Sequence, residues 1–384
     1  MNRGKTPTYR RDPDETIRIV TLGELREDPE AWLNPQHGVL PFSPWRLRSY
    51  VNNPRAVDTD PVLLECLSGG QRIAFRTLLP DTFGDIRNGR QRFAWLSGNY
   101  VVPDFRRHGI STRLLEKAEE AWEGRLMYTN YAPASKALYD KSGRFQLLQK
   151  RDGSRFHLRA ASSHLLGNRW GPLLSKTLLR PLDRAVNVFR DTRLDRLPGM
   201  NSALCTLREL HPKEMIQKTE RSLGTSLFQR DHELFSWILE DSWIRTEQTG
   251  FFDYPFSHSA NLFSNRFFEL VSADENQSVV LWILQRDSHL VVPYAYGNGD
   301  RIWSWAAVFL LDHMARNRVD HLTIRNEKLL PHLRSLKSHF WMIRPMAQLL
   351  FVHKNLAPLL PENINQSPGW IQDGDGDLVF TGLA

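Results

Sequence analysis

The chain has 384 residues, of which 41% are hydrophobic and 24% are charged, and its formal net charge is +7. This composition is typical of a folded protein that is long enough for two domains. No apolar run reaches the roughly 18 residues of a membrane span, and 1–15 lacks the apolar stretch of a secretory signal. We therefore expect a cytoplasmic protein without a membrane span.

The charge and cysteine patterns exclude further classes. The 50 basic residues are scattered among 43 acidic ones, which is unlike the clustered positive surface of a nucleic-acid-binding protein. We expect no nucleic-acid partner, although the positive balance favours an anionic ligand. Cys66 and Cys205 are far apart in sequence, so neither a disulfide framework nor a cysteine-based zinc site is indicated. We expect no metal.

The N-terminal part of the chain alternates between predicted strands and helices. Strands are predicted at 62–67, 72–79, 92–102 and 125–130. Helices are predicted at 110–122 and about 133–141. This order indicates a mixed sheet. The basic stretch 159–198 follows, with leucines at helical spacing, and is predicted to be a helical linker interrupted near Pro172 and Pro181. The alternative is an amphipathic helix on an anionic membrane surface.

The C-terminal part has a similar order of elements. Strands are predicted at 278–284, 288–296, 321–325, 340–344 and 349–352. Helices are predicted at 303–316 and 329–336. The order repeats the N-terminal plan, which predicts a second fold of the same type. The acidic tail 370–377, WIQDGDGD, is interpreted as a turn before a final strand at 378–381, rather than as a calcium loop.

The stretch 101–115, VVPDFRRHGISTRLL, leads from a predicted strand into a helix. A glycine turn at a helix start presents unpaired backbone N–H groups, and the helix dipole adds partial positive charge. Arg106 and Arg107 add full charges that suit a diphosphate. The alternative is an ordinary turn at Gly109 with solvated arginines.

This loop and the stretch 130–145, NYAPASKALYDKSGRF, together resemble the GCN5-related N-acetyltransferase (GNAT) superfamily. The family pattern Gln/Arg-x-x-Gly-x-Gly/Ala is met by 106–111, RRHGIS, except that Ser111 replaces Gly or Ala. A later family pattern is met by Asn130, Leu138-Tyr139, Gly143 and Phe145, with Arg144 as one extra residue. The resemblance covers about 60–158.

The resemblance implies an α/β fold (α+β mixed sheet) with two GNAT-like domains in tandem. The expected units are an acyltransferase domain at 1–158, the helical linker at 159–198 and a degenerate GNAT-like domain at 199–384. The second domain is expected to be degenerate because its turn 296–301, YGNGDR, lacks the family pattern, and Asp300 would repel phosphate.

The resemblance also implies a cosubstrate, acetyl-CoA, and roles for single residues. The loop residues implied to bind the coenzyme A diphosphate are Arg106, Arg107, His108, Gly109, Ile110 and Ser111. The strand residues implied to pair with the pantetheine amides are Asn99, Tyr100, Val101 and Val102. Asn130 would contact the cofactor arm, or alternatively only cap a strand. Tyr139 would protonate the leaving thiolate, or alternatively pack in the core.

A general base is needed because an amine acceptor arrives protonated. A carboxylate near the acyl end of the slot is the usual base, which makes Asp81, at a strand end, the first candidate and Glu65, on the preceding strand, the second, although both could be plain surface acids. The segment 41–55 is rich in aromatic, Arg and Asn residues. By the resemblance its members Arg46, Arg48, Tyr50 and Asn53 are candidates to contact a polar acceptor, with structural packing as the alternative.

We therefore predict an acetyl-CoA-dependent acyltransferase acting on an amine. The small-molecule acceptor that relatives of this kind suggest is an amino sugar or sugar nucleotide of surface polysaccharide synthesis, with a protein amine as second choice. Two other functions stay open. One is a non-catalytic coenzyme A-binding or scaffold protein, and the other is a transfer-RNA-dependent aminoacyl (FemAB-like) transferase.

Overall fold

The computed structural model describes residues 15–84, 89–129, 133–161, 179–196, 204–220, 226–246, 254–361 and 371–382. The strands are β1 Thr16–Thr21, β2 Pro61–Ser68, β3 Gln71–Phe83, β4 Gln91–Val101, β5 Leu126–Thr129, β6 Phe145–His157, β7 Cys205–Leu210, β8 Phe263–Ser272, β9 Ser278–Arg286, β10 His289–Asn298, β11 His321–Ile324 and β12 Met342–His353. The helices are α1 Leu22–Glu27, α2 Pro44–Val51, α3 Ile110–Ala121, α4 Pro133–Ser142, α5 Arg180–Leu194, α6 Pro212–Glu220, α7 His232–Glu240, α8 Arg301–Arg316, α9 Leu329–Ser335 and α10 Leu378–Thr381.

All twelve strands belong to one sheet, in the order β1-β2-β3-β4-β5-β12-β6-β11-β10-β9-β8-β7. Strand β6, the last of the first six, therefore lies between β12 and β11, and strand β12, the last of the second six, lies between β5 and β6. We call β1–β6 the N-terminal half and β7–β12 the C-terminal half. At the centre, β6 and β12 pair antiparallel from Met342 opposite His157 to His353 opposite Phe145. The β4–β5 and β10–β11 pairs are parallel.

Apolar side chains on both faces of the sheet are buried. Helix α3 places Leu114, Leu115 and Ala118 on one stripe, which packs against alternate residues of β2, β3 and β4. A larger cluster contains side chains from both halves, including Trp95, Trp282 and, from α10, Phe380. Among the described residues, no helix combines the length and apolar character that crossing a membrane would need.

Capping residues fix where several helices begin. The hydroxyl of Thr21 accepts from the backbone N–H of Glu24, whose carboxylate accepts in return from the N–H of Thr21, forming a capping box before α1. Ser43 caps α2, in which proline occupies the first turn. Helix α2 carries Arg46, whose guanidinium donates to Thr77 on β3 and Ser97 on β4.

The predicted mixed sheet is confirmed, with two corrections in the C-terminal part. The strands predicted at 340–344 and 349–352 are one strand, β12. Pro345 has no N–H to donate, but it does not interrupt the strand, because β12 pairs with β5 only at Leu350–Val352, away from the proline. The predicted strand at 378–381 is helix α10, closed by Gly382 in the left-handed region. A four-residue apolar run has no period that separates helix from strand.

The predicted linker at 159–198 and the predicted tandem domains are described only in part by the structure. Helix α5 occupies part of the predicted linker, and Pro181 lies in its first turn, where proline fits a helix. Pro172 lies outside the described residues. The tandem arrangement and its domain boundaries stay predictions.

A buried ion cluster joins the C-terminal end of the chain to strand β3. Arg230, only 4% exposed, donates to both carboxylate oxygens of Asp81 on β3 at 3.0 and 2.9 Å. Its Nε also donates to Asp375 at 3.1 Å. Asp375 belongs to the C-terminal tail, which we define as 371–382. One guanidinium thus holds the tail against β3.

Replacing Arg230 with methionine should lower the free energy of unfolding by about 3–5 kcal/mol, because two carboxylates would stay buried without their cation. Urea unfolding measures the loss. The control is Arg266→Met, which breaks an exposed pair with Glu209 and should cost no more than about 1 kcal/mol. Equal losses in the two variants would contradict this account.

Candidate active site

A cleft opens where β4 and β5 separate. The two strands pair at two positions, Ala94 with Leu126 and Trp95 with Met127, and β4 then continues to Val101. Thr77 lies opposite Gly98 while Leu78 lies opposite Leu96, so Ser97 is an extra residue that forms a β-bulge. Bulges bend a strand and increase its twist. The bulge therefore accompanies the divergence of β4 from β5.

The cleft has an inner cavity and an outer groove. The inner cavity, about 190 Å³, is lined by β4, β5, α4 and the C-terminal tail. The outer groove, about 680 Å³, is lined by the end of β4, the loop that follows it, the start of α3 and one side of α4. Asn99 and Ser135 line both, so the two spaces adjoin.

The predicted loop lies along the outer groove. Gly109, with φ +75°, caps α3 without any side-chain acceptor for the first-turn N–H groups. Arg107 also has a positive φ, 67°. A Cβ added at Gly109 would meet nothing within 4 Å, so the backbone there faces open space. The groove wall includes Val101, Arg106, Arg107, Gly109, Ile110, Ser111 and Lys141.

Not every predicted loop residue faces the groove in the same way. Arg106 Nε donates to the carbonyl of Val101 at 3.0 Å and its guanidinium lies over the ring of Tyr100. Arg106 therefore braces the loop against β4. Val102 donates its N–H to the carbonyl of Ile73, and His108 is half-buried. Asn130 lies outside the described residues.

Tyr139 lies at the inner cavity and is 7% exposed. Its ring stacks on Tyr128, with centroids 4.2 Å apart and planes at 17°. Its hydroxyl accepts a hydrogen bond of 3.1 Å from Nη1 of Arg76. Because the phenol oxygen accepts from Arg76, its own O–H is left to donate elsewhere.

Arg76, on β3, was not identified from the sequence. It is 1% exposed, and its Nε and Nη2 have no hydrogen-bond partner among the described residues. It lies opposite Asn99, whose Oδ1 is likewise unpartnered there. A buried guanidinium with unmet donors beside a cavity is arranged to receive a polar or negatively charged group.

Asp377 of the C-terminal tail is a second residue that sequence reasoning missed. It lines the inner cavity with Tyr139, and its Oδ2 accepts from the Ser97 hydroxyl at 2.7 Å. Burial raises the pKa of Asp377, while the Ser97 hydrogen bond and the charge of Arg46 act in the opposite direction. The one sequence signal was the acidic cluster of the tail, which we interpreted only as a turn.

Arg46 holds in place the Ser97 hydroxyl that donates to Asp377. It is 4% exposed and donates to the Thr77 and Ser97 hydroxyls at 2.8 and 2.9 Å. Its guanidinium also lies 4.2 Å from the ring centroid of Trp243. The other residues predicted to contact an acceptor have structural partners: Arg48 pairs with Asp241, Tyr50 packs on Phe42 and Asn53 donates to Pro80.

The two predicted general bases are held in buried pairs. Asp81 accepts from Arg230 and from Trp95 Nε1, the latter at 2.8 Å. Glu65 accepts from Arg72 at 2.7 Å. Neither carboxylate lines the inner cavity or the outer groove. Their catalytic role stays a prediction without support from this geometry.

Comparison with known families agrees with the motifs. Residues 24–143 match the acetyltransferase (GNAT) family. This match covers less than half of the chain and includes β2–β5, the 106–111 loop and α4. The resemblance to that family is therefore confirmed for this segment, and acyl transfer is the chemistry associated with it. A comparison with curated protein sequences finds no match.

Several solved structures are similar to most of the chain at low identity. A GCN5-related N-acetyltransferase from Kribbella flavida is 15% identical, with a TM-score of 0.44 over 88% of this chain and 71% of that one. A probable N-acyltransferase from Enterococcus faecalis is 8% identical, with a TM-score of 0.49 over 89% and 73%. The N-myristoyltransferase of Saccharomyces cerevisiae with bound myristoyl-CoA is 10% identical, with a TM-score of 0.45 over 92% and 85%.

Proposed function

We propose that this chain is an acetyl-CoA-dependent N-acyltransferase that moves an acetyl group directly to an amine, without a covalent enzyme intermediate. The main support is the buried Arg76–Tyr139 pair at the inner end of a cleft whose outer end is the 106–111 loop. The acceptor we favour is an amino sugar, which enters beside Asp377.

The outer groove fits the diphosphate of coenzyme A. The open backbone at Gly109, the first-turn N–H groups of α3 and the cation of Arg107 combine partial and full positive charge. The edge of β4 beyond Trp95 is not used by β5 and is free to pair with the pantetheine amides. The thioester would then lie near Tyr139.

Tyr139 is our candidate general acid. Its O–H is the group that would protonate the leaving thiolate, and the cation of Arg76 would stabilise the negative charge that develops on the phenol oxygen. Arg76 acts through Tyr139 and is therefore a positioning residue.

Asp377 is our candidate general base, in place of Asp81 and Glu65. It lies at the same cavity as Tyr139, and Ser97 and Arg46 fix its orientation. Burial makes its carboxylate a better proton acceptor by raising its pKa. An ammonium acceptor would be attracted to the carboxylate before losing its proton to it.

We also propose that the C-terminal half is a degenerate repeat of the N-terminal half. The sheet order supports this, because β7–β11 repeats β1–β5 from the opposite end. The position between β10 and β11 that corresponds to the cleft is occupied by the tail. Gly374 donates to the carbonyl of Pro293, and Gln372 donates to the carbonyl of Ala295.

Gly109→Ala should weaken coenzyme A binding about tenfold, or ~1.4 kcal/mol, because the new Cβ would enter the space left for the diphosphate. Gly143→Ala is the matched control, since Gly143 also has a positive φ and open space at its Cβ. Both variants should lose about 1–2 kcal/mol of stability, because a Cβ disfavours the left-handed region in which both glycines lie. Calorimetric titration with coenzyme A measures binding. Equal affinities in the two variants would refute the loop assignment.

Tyr139→Phe should lower thiol release from acetyl-CoA by about 10²–10⁴-fold, the usual contribution of a general acid, while coenzyme A binding is retained. Tyr296→Phe, which removes a buried hydroxyl of the C-terminal half that has no hydrogen-bond partner among the described residues, is the control and should keep its activity. Thiol release is followed with a chromogenic disulfide across a panel of amines and amino sugars. Wild-type protein that binds coenzyme A but acetylates none of them would support a scaffold instead.

Asp377→Asn should abolish the acidic limb of the kcat/KM profile along with most of the activity. Deprotonated Asp377 is the active form, so the rate should fall as pH decreases through its pKa. Because that pKa is raised, the limb should lie above the pH at which an ordinary aspartate titrates, about 3.9. Asp81→Asn is the comparison variant, and its kcat/KM profile is calculated for the folded fraction of the protein only. Loss of the limb in Asp81→Asn alone would reverse the assignment.

A further inference from the structure

Helix α5 turns polar side chains towards the protein and apolar side chains outwards. Asp183 and Asn187 are buried, together with Leu194 near the end of the helix. A surface helix of a globular protein ordinarily buries its apolar stripe and exposes its polar one. In α5 the side chains that are 57, 64 and 64% exposed are Leu182, Val188 and Phe189.

Polar contacts attach α5 to the sheet. The side-chain amide of Asn187 accepts from the N–H of Ala160 at 2.8 Å and donates to the carbonyl of Ala160 at 2.9 Å. Arg190 donates to the carbonyls of Leu158 and His339. The exposed apolar side chains therefore belong to a helix that is fixed on the protein from its other side.

Exposed arginines accompany these apolar side chains. The guanidinium of Arg193 lies 4.6 Å from the ring centroid of Phe189, one turn earlier, and Arg184 and Arg196 are exposed as well. At about 3.6 residues per turn, the exposed apolar and basic positions lie within one half of the helix circumference. The outer face, as we define it, consists of Leu182, Arg184, Val188, Phe189, Arg193 and Arg196.

The acidic residues of this region do little to neutralise the outer face. The stretch 159–198 contains eight Arg or Lys residues and three Asp residues. Asp183 is buried, Asp191 pairs with Arg159 at 3.1 Å, and Asp195 pairs with Arg318 at 3.0 Å. The outer face therefore combines apolar side chains with an excess of positive charge.

A tryptophan beside the same helix is also exposed. Trp341 is 58% exposed, and the guanidinium of Arg190 lies 5.7 Å from the centroid of its ring. Tryptophan is enriched where a bilayer meets water, because its ring is apolar and its indole N–H is polar. Trp341 thus adds a side chain of this kind from outside α5.

We propose that the outer face of α5, together with Trp341, binds peripherally to an anionic membrane surface. The apolar side chains would enter the boundary between lipid headgroups and acyl chains, and the arginines would contact lipid phosphates. A bilayer accepts such a convex helix without a complementary shape, which a folded protein partner would have to supply. The inference is independent of acyl transfer, because no residue of this surface lines the cleft.

Co-sedimentation with lipid vesicles tests the proposal. Wild-type protein should bind vesicles of equal amounts of phosphatidylglycerol and phosphatidylcholine at least about tenfold more tightly than vesicles of phosphatidylcholine alone. Phe189→Glu should weaken binding to the anionic vesicles about tenfold or more, since it removes one buried aromatic side chain. Arg193→Gln should weaken it about fivefold, the effect expected of one cation at the surface.

The matched controls lie beyond the end of β12 that is farther from Trp341. Leu359→Glu changes a leucine that is 48% exposed, and Lys354→Gln removes an exposed cation. Each of the four variants lowers the net charge by one, and both controls should bind vesicles as the wild type does. Without vesicles, Phe189→Glu should unfold at the wild-type temperature, because surface substitutions have small effects on stability.

Four results would overturn the proposal. The wild type could bind no anionic vesicles, or the controls could weaken binding as much as the variants of α5, which would indicate an effect of net charge. Binding that depends on Arg193 but not on Phe189 would indicate attraction to any polyanion, such as a nucleic acid or an acidic protein. A lower unfolding temperature of Phe189→Glu would mean that Phe189 packs against the protein itself.

Discussion

The separation of β4 from β5 is the constraint on which the candidate site depends. Two backbone pairs hold these strands together, and beyond Trp95 no strand within the described residues pairs with this edge of β4. Unpaired strand edges are usually covered or protected. Here the exposed edge becomes a wall of the cleft, and the Ser97 bulge turns its backbone at the point where Tyr139 and Asp377 approach.

The C-terminal tail connects this cleft with the C-terminal half. Gln372 and Gly374 bind the backbone of β10, Asp375 binds Arg230, and Asp377 reaches Ser97. The same short segment therefore occupies the space between β10 and β11 and, through Asp377, lines the inner cavity between β4 and β5. This arrangement explains why the acids of the tail do not form a cation loop, since each one faces a different protein partner.

The sequence was informative where the relevant contacts are local. Gly109 and the start of α3 are adjacent in the chain, so a glycine turn leading into a helix could be predicted there. Arg76 meets Tyr139 across 63 residues, and Ser97 meets Asp377 across 280. No local pattern contains such pairs. The prediction of Asp81 as base lacked its partner Arg230, which lies 149 residues further along.

The exchange of the last strands bears on how the chain folds during synthesis. Strand β12 occupies the position between β5 and β6 in the sheet, yet it is synthesised some two hundred residues after them. Until then the nascent polypeptide carries two sheet edges that could pair with other chains. Closure over so great a sequence separation is slow. A fragment ending at His157 would carry Gly109 and Tyr139 but would lack β12, the strand that lies between β5 and β6 in the sheet.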